Sequence, residues 1–352
     1  MTSIRDEREE ATFGVSRHAT PLRPGSARME LAWRQVRLPE PEELFPGTWV
    51  VPFPTETDFV PYTLSYLFSD DRGNLHIIDP GWDNSDNRRR LADFLDSVGA
   101  GLADVASTLV SHFHPDHFGM AAYLRESSGA EIVLSEREQA AIDGPQKLED
   151  PLDEWGVPAD RRPELEHLQR VEHPIDPVRA DRLVHEGDVV GGPGKELRVL
   201  ETAGHTEGHI SFVSDQDLLV FTGDHLLPRI HPGLGLGPGR GSDSNTLSQY
   251  FDGLRRVAQF DEHLVCPGHE YTFWGAARRC LSTAAHHSRR SDEVRSVLEI
   301  MPEAPTWEVA RRVTWAAGWD ALHTYRLRSA LRQIAMHIAH LRVAESGTGL
   351  DT

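Results

Sequence analysis

The chain has 352 residues, enough for two domains or for one large domain with additions, and its 39% hydrophobic content is ordinary for a globular protein once glycine is counted. Lys and Arg number 36 against 55 Asp and Glu, a net charge of −19. That balance argues against a dedicated DNA binder and against docking on an anionic membrane, because both need cations in excess.

The N-terminal string MTSIRDEREEATFG lacks an apolar core, so no secretory signal is visible, and no apolar run is long enough for a membrane-spanning helix. Two cysteines, Cys266 and Cys280, provide neither a disulfide framework nor a cysteine-based zinc site. A soluble, cytoplasmic protein is the expectation. The unusual count is 19 histidines, the commonest metal ligands and the side chains best suited to proton transfer near neutrality.

In chain order, residues 1–29 mix charge, Gly, Pro and Ser and read as a flexible arm. Strand-like runs follow at Trp49–Pro52, Tyr62–Phe68 and Leu75–Asp79. The spacing then predicts a helix over Asn87–Val98, with Ser85 or Asp86 as N-cap. Val105–Ser111 reads as a buried strand, Gly119–Glu126 as a helix and Glu131–Ser135 as a strand. Further strands fall at Leu197–Glu201, Ile210–Val213, Leu218–Thr222 and His263–Cys266, with helices over Leu247–Ala258 and Gly275–His287.

Two stretches differ from the rest. Residues 143–188 are Pro-punctuated and acidic, and read as an insertion whose Leu152, Trp155 and Val157 wall a pocket or face a solvated helix pair. Residues 278–345 are arginine-rich and mostly helical. The expected division is an arm over 1–29, a core domain over 30–280 and a helical domain over 281–352.

The informative string is Ser111-His112-Phe113-His114-Pro115-Asp116-His117, lying between a predicted strand and a predicted helix. In an extended segment His112 and His114 project to one side, and Asp116 and His117 then turn over the helix start. Gly204-His205-Thr206-Glu207-Gly208-His209, Gly223-Asp224-His225 and Pro267-Gly268-His269-Glu270 each follow a strand beside a glycine that permits a tight turn. Any one of these histidines alone reads most simply as a solvated loop residue. Four such motifs at four strand ends point instead to one shared sheet edge.

These motifs, together with Ile78-Asp79-Pro80-Gly81 upstream, resemble the metallo-β-lactamase superfamily over about residues 47–280. The resemblance implies an α/β fold, a four-layer αβ/βα sandwich with the metal site at one sheet edge. Carried over residue by residue, it implies a first metal on His112, His114 and His205. A second would lie on Asp116, His117 and His269, with Asp224 bridging both. The cofactors implied are two divalent ions, Zn²⁺ foremost, with Fe and Mn also suited to such ligands.

The implied chemistry is attack by a metal-bridging hydroxide on a carbonyl, with Asp116 and Asp224 as the catalytic carboxylates. Asp79 matches an acid that orders the histidine loop, although a purely structural turn role fits equally. His209 and His225 read either as supports behind the ligands or as substrate-facing groups.

Pro267-Gly268-His269-Glu270-Tyr271-Thr272 is similar to the last motif of glyoxalase II, which makes Tyr271 a candidate substrate contact; packing is its alternative role. The region from Leu254, and Gly223-Asp224-His225-Leu226-Leu227-Pro228, resemble the lactamase-like 2 hydrolases, which carry a helical, winged-helix-like C-terminal domain. The expectation is therefore hydrolysis of a small thioester, ester or lactone, with a homodimer as a possible assembly. RNA or phosphodiester hydrolysis is disfavoured by the acidic 143–188 segment. A mononuclear-iron sulfur dioxygenase would need fewer ligands than are present. The Gly-rich stretch 232–241 reads as a mobile rim of the pocket.

Overall fold

The apolar runs of the sequence pair into two seven-stranded sheets in a computed structural model, which describes residues 21–57, 60–144, 150–171, 178–237 and 246–347. The chain begins with β1 (Arg23–Pro24) and α1 (Ala27–Arg34), then β2 (Glu42–Phe45), β3 (Thr48–Pro54), β4 (Tyr62–Ser69) and β5 (Leu75–Ile78). Next come α2 (Ser85–Ser97), β6 (Val105–Leu109), α3 (Pro115–Phe118), α4 (Ala121–Ser128), β7 (Glu131–Ser135), α5 (Glu136–Asp143), α6 (Arg162–Val171) and β8 (Arg182–Val184). The second half runs through β9 (Val189–Gly192), β10 (Lys195–Glu201), β11 (Ile210–Ser214), β12 (Leu219–Gly223), α7 (Thr246–Val257), β13 (Leu264–Pro267) and β14 (Phe273–Trp274). Three helices close the chain: α8 (Ala276–Ile300), α9 (Thr306–Ala310) and α10 (Thr324–Gly347).

One sheet has the order β2-β3-β4-β5-β6-β7-β8, the other β1-β14-β13-β12-β11-β10-β9. Both are mixed: β5, β6, β7 and β8 pair in parallel in the first, and β12 with β13 in the second. Strand β4 is buried at every position but its last, which is why it reads as a near-continuous apolar run rather than an alternating one. Between the sheets the rings of Tyr66 and Phe221 meet edge to face, 5.1 Å apart. Leu91, Phe94, Leu95 and Leu124 of α2 and α4 pack with the outer face of one sheet, and Leu247, Leu254, Ala276 and Ala284 of α7 and α8 join the core of the other. The result is the expected αβ/βα sandwich.

Several local readings change. The N-cap of α2 is Asn84, whose side chain accepts from the Asn87 amide at 2.8 Å, rather than Ser85 or Asp86, which lie inside the helix. The arm expected over 1–29 is ordered where it is described. Ser26 caps α1, Met29 is buried, and β1 pairs with β14; residues 1–20 lie outside the described part. The boundary expected at 280/281 falls inside the continuous helix α8. Among the described residues of 276–347 every regular element is helical, so the winged-helix likeness extends to the helices alone.

A second apolar core explains why α8 runs on. Leu152, Val157 and Leu165 of the acidic insertion pack with Val294, Trp307, Leu327, Leu331 and Ile334 of the C-terminal helices. Trp307 donates its backbone N–H to the Trp155 carbonyl at 2.8 Å. Asp150 accepts from Arg328 and Arg332 at 2.6 and 2.8 Å. The insertion is thus half of a helical subdomain. No helix among the described residues is long and apolar enough to cross a membrane.

Candidate metal centre

Every residue of the expected ligand set arrives at one end of the sandwich. The chain leaves β6 at Leu109 and presents His112 and His114 from an irregular loop; Pro115 then opens α3, with Asp116 and His117 in its first turn. That turn packs on the Asp79–Gly81 turn so closely that a Cβ on Gly119 would lie 2.8 Å from the Gly81 carbonyl. His205 comes from the loop between β10 and β11, Asp224 follows β12, and His269 follows β13.

The ligand atoms form three groups, each within 4.8 Å: His112, His114 and His205; His112, His117 and Asp224; Asp116, His117 and His269. Asp224 lies between the sets. Its Oδ2 is 3.5 Å from His205 Nε2, and its Oδ1 is 3.2 Å from His269 Nε2 and 3.4 Å from His117 Nε2. Asp116 Oδ2 is 3.4 Å from His269 Nε2.

The outer nitrogen of each imidazole has an oxygen partner. His112 Nδ1 meets Ser111 Oγ at 2.9 Å, and that hydroxyl itself donates to Asp79. His114 Nε2 meets the Leu236 carbonyl and His205 Nδ1 the Gly233 carbonyl, both at 2.7 Å. His117 Nδ1 meets Asp79 Oδ2 and His269 Nδ1 the Tyr62 carbonyl, both at 2.8 Å. Each outer N–H is consumed, so the inner nitrogen of each ring is the one free to coordinate.

In the first set those inner nitrogens stand 2.8 Å (His112 to His114) and 3.0 Å (His114 to His205) apart. Burial, followed by repulsion from neighbouring imidazoles, pushes the pKa of His112 well below the usual value; burial also lowers His205 and brings His114 down to about 4. Three neutral rings thus aim lone pairs at one another, an arrangement a cation relieves.

The second set carries the opposite field. Burial opposes charge on His117 and His269, yet nearby carboxylates, Asp224 and Asp116 for both and Asp79 for His117, raise both pKa values. Asp224 Oδ1 is buried without a hydrogen-bond donor. Neutral imidazoles, cation-attracting carboxylates and an orphaned carboxylate oxygen fit two divalent ions.

The remaining predicted residues take definite places. Asp79 binds the Ser111 amide and hydroxyl, each at 2.7 Å, and His117. His209 accepts from the Asp224 amide at 3.2 Å and donates to Thr202 Oγ1 at 2.9 Å, so it supports Asp224 from behind. His225 is fully buried, lies edge-on to Tyr250 at 4.8 Å and joins none of the ligand groups. Tyr271 is 6% exposed and packs in the core. Residues 233–236 of the Gly-rich stretch hold His205 and His114 through their carbonyls; residues 238–241 lie outside the described part.

Four contributors were not foreseen. Thr63 donates to Asp116 Oδ2 at 3.3 Å. Glu138, fully buried with its pKa pushed up by burial to about 7, accepts from Phe113, Thr206 and Gly208. Glu270 and Arg279 grip the segment after Asp224: Glu270 Oε2 takes the amides of Arg229 and Ile230, and Arg279 takes the carbonyls of Leu227, Arg229 and Ile230. For Glu138 a signal existed, since Ser135-Glu136-Arg137-Glu138 has the spacing of a capping box.

Comparison with known proteins agrees with this architecture. The family model for the metallo-beta-lactamase superfamily matches residues 59–269, and the chain belongs to that superfamily. A hydroxyacylglutathione hydrolase of Xanthomonas campestris is 30% identical over 263 residues, covering 73% of this chain and 81% of the relative. A probable metallo-hydrolase of Bacillus subtilis is 26% identical over 286 residues, covering 78% and 86%.

Among solved structures, a beta-lactamase domain protein from Burkholderia ambifaria superposes with a TM-score of 0.70 at 23% identity, over 86% of this chain and 89% of that one. A metallo-beta-lactamase family protein from Thermus thermophilus gives 0.68 at 23% identity, over 86% and 95%. These share the fold. The membership, the relatives and the ligand clusters make the protein a metal-binding hydrolase of this superfamily.

Proposed function

We propose that the protein is a dinuclear metal-dependent hydrolase, with Zn²⁺ in both sites, acting on a small thioester, ester or lactone. The observation that carries this reading is Asp224 standing between two complete ligand sets whose inner atoms all converge. Two divalent ions there would supply water acidified towards neutral pKa and Lewis-acid polarisation of a carbonyl oxygen.

The chain's own groups do the rest. His114 and Asp116 are the less buried members of the set and mark the side open to substrate. Asp116, steadied by Thr63, is the carboxylate placed to accept a proton on that side. Asp224, backed by His209, holds the two halves of the site in one geometry. A small carbonyl substrate is supported by the relative named as a hydroxyacylglutathione hydrolase and by the chain's net charge of −19, which disfavours a polyanion.

The test is metal analysis of the purified protein together with a hydrolysis screen over thioesters, esters, lactones and RNA. About two metal ions per chain and turnover of a carbonyl ester or thioester are expected. RNA cleavage without turnover of any carbonyl substrate would overturn the substrate class, and a single iron per chain would overturn the hydrolytic reading. His112→Ala should abolish turnover.

A further inference from the structure

We propose that Glu138 is a positioning residue that assembles the first metal site, the His112, His114 and His205 set, and leaves the second largely untouched. The proposal rests on the two-site reading above. Ser135 caps α5, and its hydroxyl accepts from the Glu138 amide at 3.2 Å. In a capping box the glutamate would reach back to the amide of its own N-cap. Here both carboxylate oxygens point into the site instead.

Glu138 Oε1 accepts from Thr206 Oγ1 at 2.6 Å and from the Gly208 amide at 2.8 Å, while Oε2 accepts from the Phe113 amide at 3.0 Å. Phe113 lies between His112 and His114, and Thr206 follows His205. One side chain therefore fastens the loop after β6 to the loop after β10, two segments about ninety residues apart in the chain. Ser135 adds a bond from its hydroxyl to the Gly208 carbonyl at 2.6 Å. The approach needs glycine at 208, where a Cβ would stand 2.5 Å from the Glu138 amide nitrogen.

A fully buried carboxylate is costly in a protein core, and no lysine or arginine bond to Glu138 occurs among the described residues. The three donors offset that cost, and all three belong to the loops that carry the first ligand set. The second set is tied elsewhere: Asp116 to Thr63, His117 to Asp79 and His269 to the Tyr62 carbonyl. Loss of Glu138 should consequently separate His205 from His112 and His114 without moving Asp116, His117 or His269.

The experiment is Zn²⁺ titration of the metal-free full-length chain by calorimetry, alongside thermal unfolding of each metal-free variant. In the wild type two uptake events are expected, and the one abolished by His114→Ala identifies the first site. Glu138→Ala should weaken that event by about 10–100-fold and leave the other unchanged. Glu138→Gln keeps an acceptor for Thr206 and Gly208 but turns an amide donor towards the Phe113 N–H, so a severalfold weakening of the same event is expected. If Glu138→Ala does not fold, Glu138→Gln decides.

Both events intact in Glu138→Gln, or both weakened equally, would overturn the role of Glu138 while the two-site reading stood. A wild-type chain that takes up one ion or none would overturn both.

Discussion

Asp79 Oδ2 accepts the Nδ1–H of His117 at 2.8 Å from a residue whose backbone sits in the left-handed region, at φ 51°. Asn and Asp are the non-glycine residues that tolerate this region best, so Asp79→Asn leaves the turn itself intact. The amide cannot replace the carboxylate, because Oδ1 and Oδ2 together accept from the Ser111 amide, the Ser111 hydroxyl and His117. Asp79→Asn should cost about 10–100-fold in metal affinity, with little change in the unfolding midpoint of the metal-free chain. Metal titration and circular dichroism on the same sample check both halves.

Gly268 needs its missing side chain for a different reason. A Cβ there would lie 2.6 Å from His117 Cε1 and 2.7 Å from Asp224 Oδ1. Gly268→Ala therefore pushes directly on two candidate ligands, and on the Gly223 backbone carbon at 3.2 Å, from a φ that alanine adopts without strain. A displacement on the scale of an ångström costs about 100-fold in rate. Turnover and bound metal should fall together, which a metal assay beside a rate measurement will show.

Arg279 is a buried arginine devoted to carbonyls. It binds Leu227 at 2.5 Å, Arg229 at 3.0 Å and Ile230 at 2.7 Å, while Glu270 holds two amides of the same segment. Arg279→Met leaves these carbonyls without their partner, at about 1–3 kcal/mol for each one left unsatisfied. A loss of roughly 3 kcal/mol is expected in denaturant unfolding. Arg279→Lys should recover little of it, since an ammonium lacks the planar fork.

The seam between α8 and α10 carries an acid sensitivity of its own. His287 and His337 are fully buried there, and His231 stacks on His286 with ring centroids 4.0 Å apart. Arg279, Arg289, Arg290 and His340 add positive charge around them, with Glu293 as a nearby acid. Burial first, and then neighbouring positive charge, lowers all four pKa values, with His231 and His337 at about 3.

The unfolded chain, with ordinary imidazoles near pH ~6.5, takes up protons before the folded one does. Stability is therefore complete above about pH 6.5 and falls as the pH drops from there towards 3. The thermal midpoint should drop by several degrees between pH 7 and pH 5, and less steeply in His337→Gln. A midpoint flat across that interval would contradict the assignment.

The candidate ligands were legible because each of their four motifs follows a strand and includes a glycine or proline that turns the chain. Their supports were not. His114 and His205 rest on the carbonyls of Leu236 and Gly233, and a backbone group leaves no mark on side-chain pattern. Glu138 carried a visible cap signature, but nothing local shows that its carboxylate turns towards Phe113 and Thr206. Ser85 and Asp86 are as good N-caps as Asn84 by residue type, and only the path of the chain after Gly81 selects among them. The acidic insertion looked like a pocket rim because its apolar partners lie more than a hundred residues away.

The backbone bond between Trp155 and Trp307 ties together the fortunes of two segments that the sequence keeps far apart. Shortening the chain before Trp307 would strand Leu152, Val157 and Leu165 in water, and excising the insertion would do the same to Leu327, Leu331 and Ile334. The two pieces can only be gained, lost or transplanted together. A chimaera that exchanges one without the other should aggregate, whatever catalytic machinery it retains.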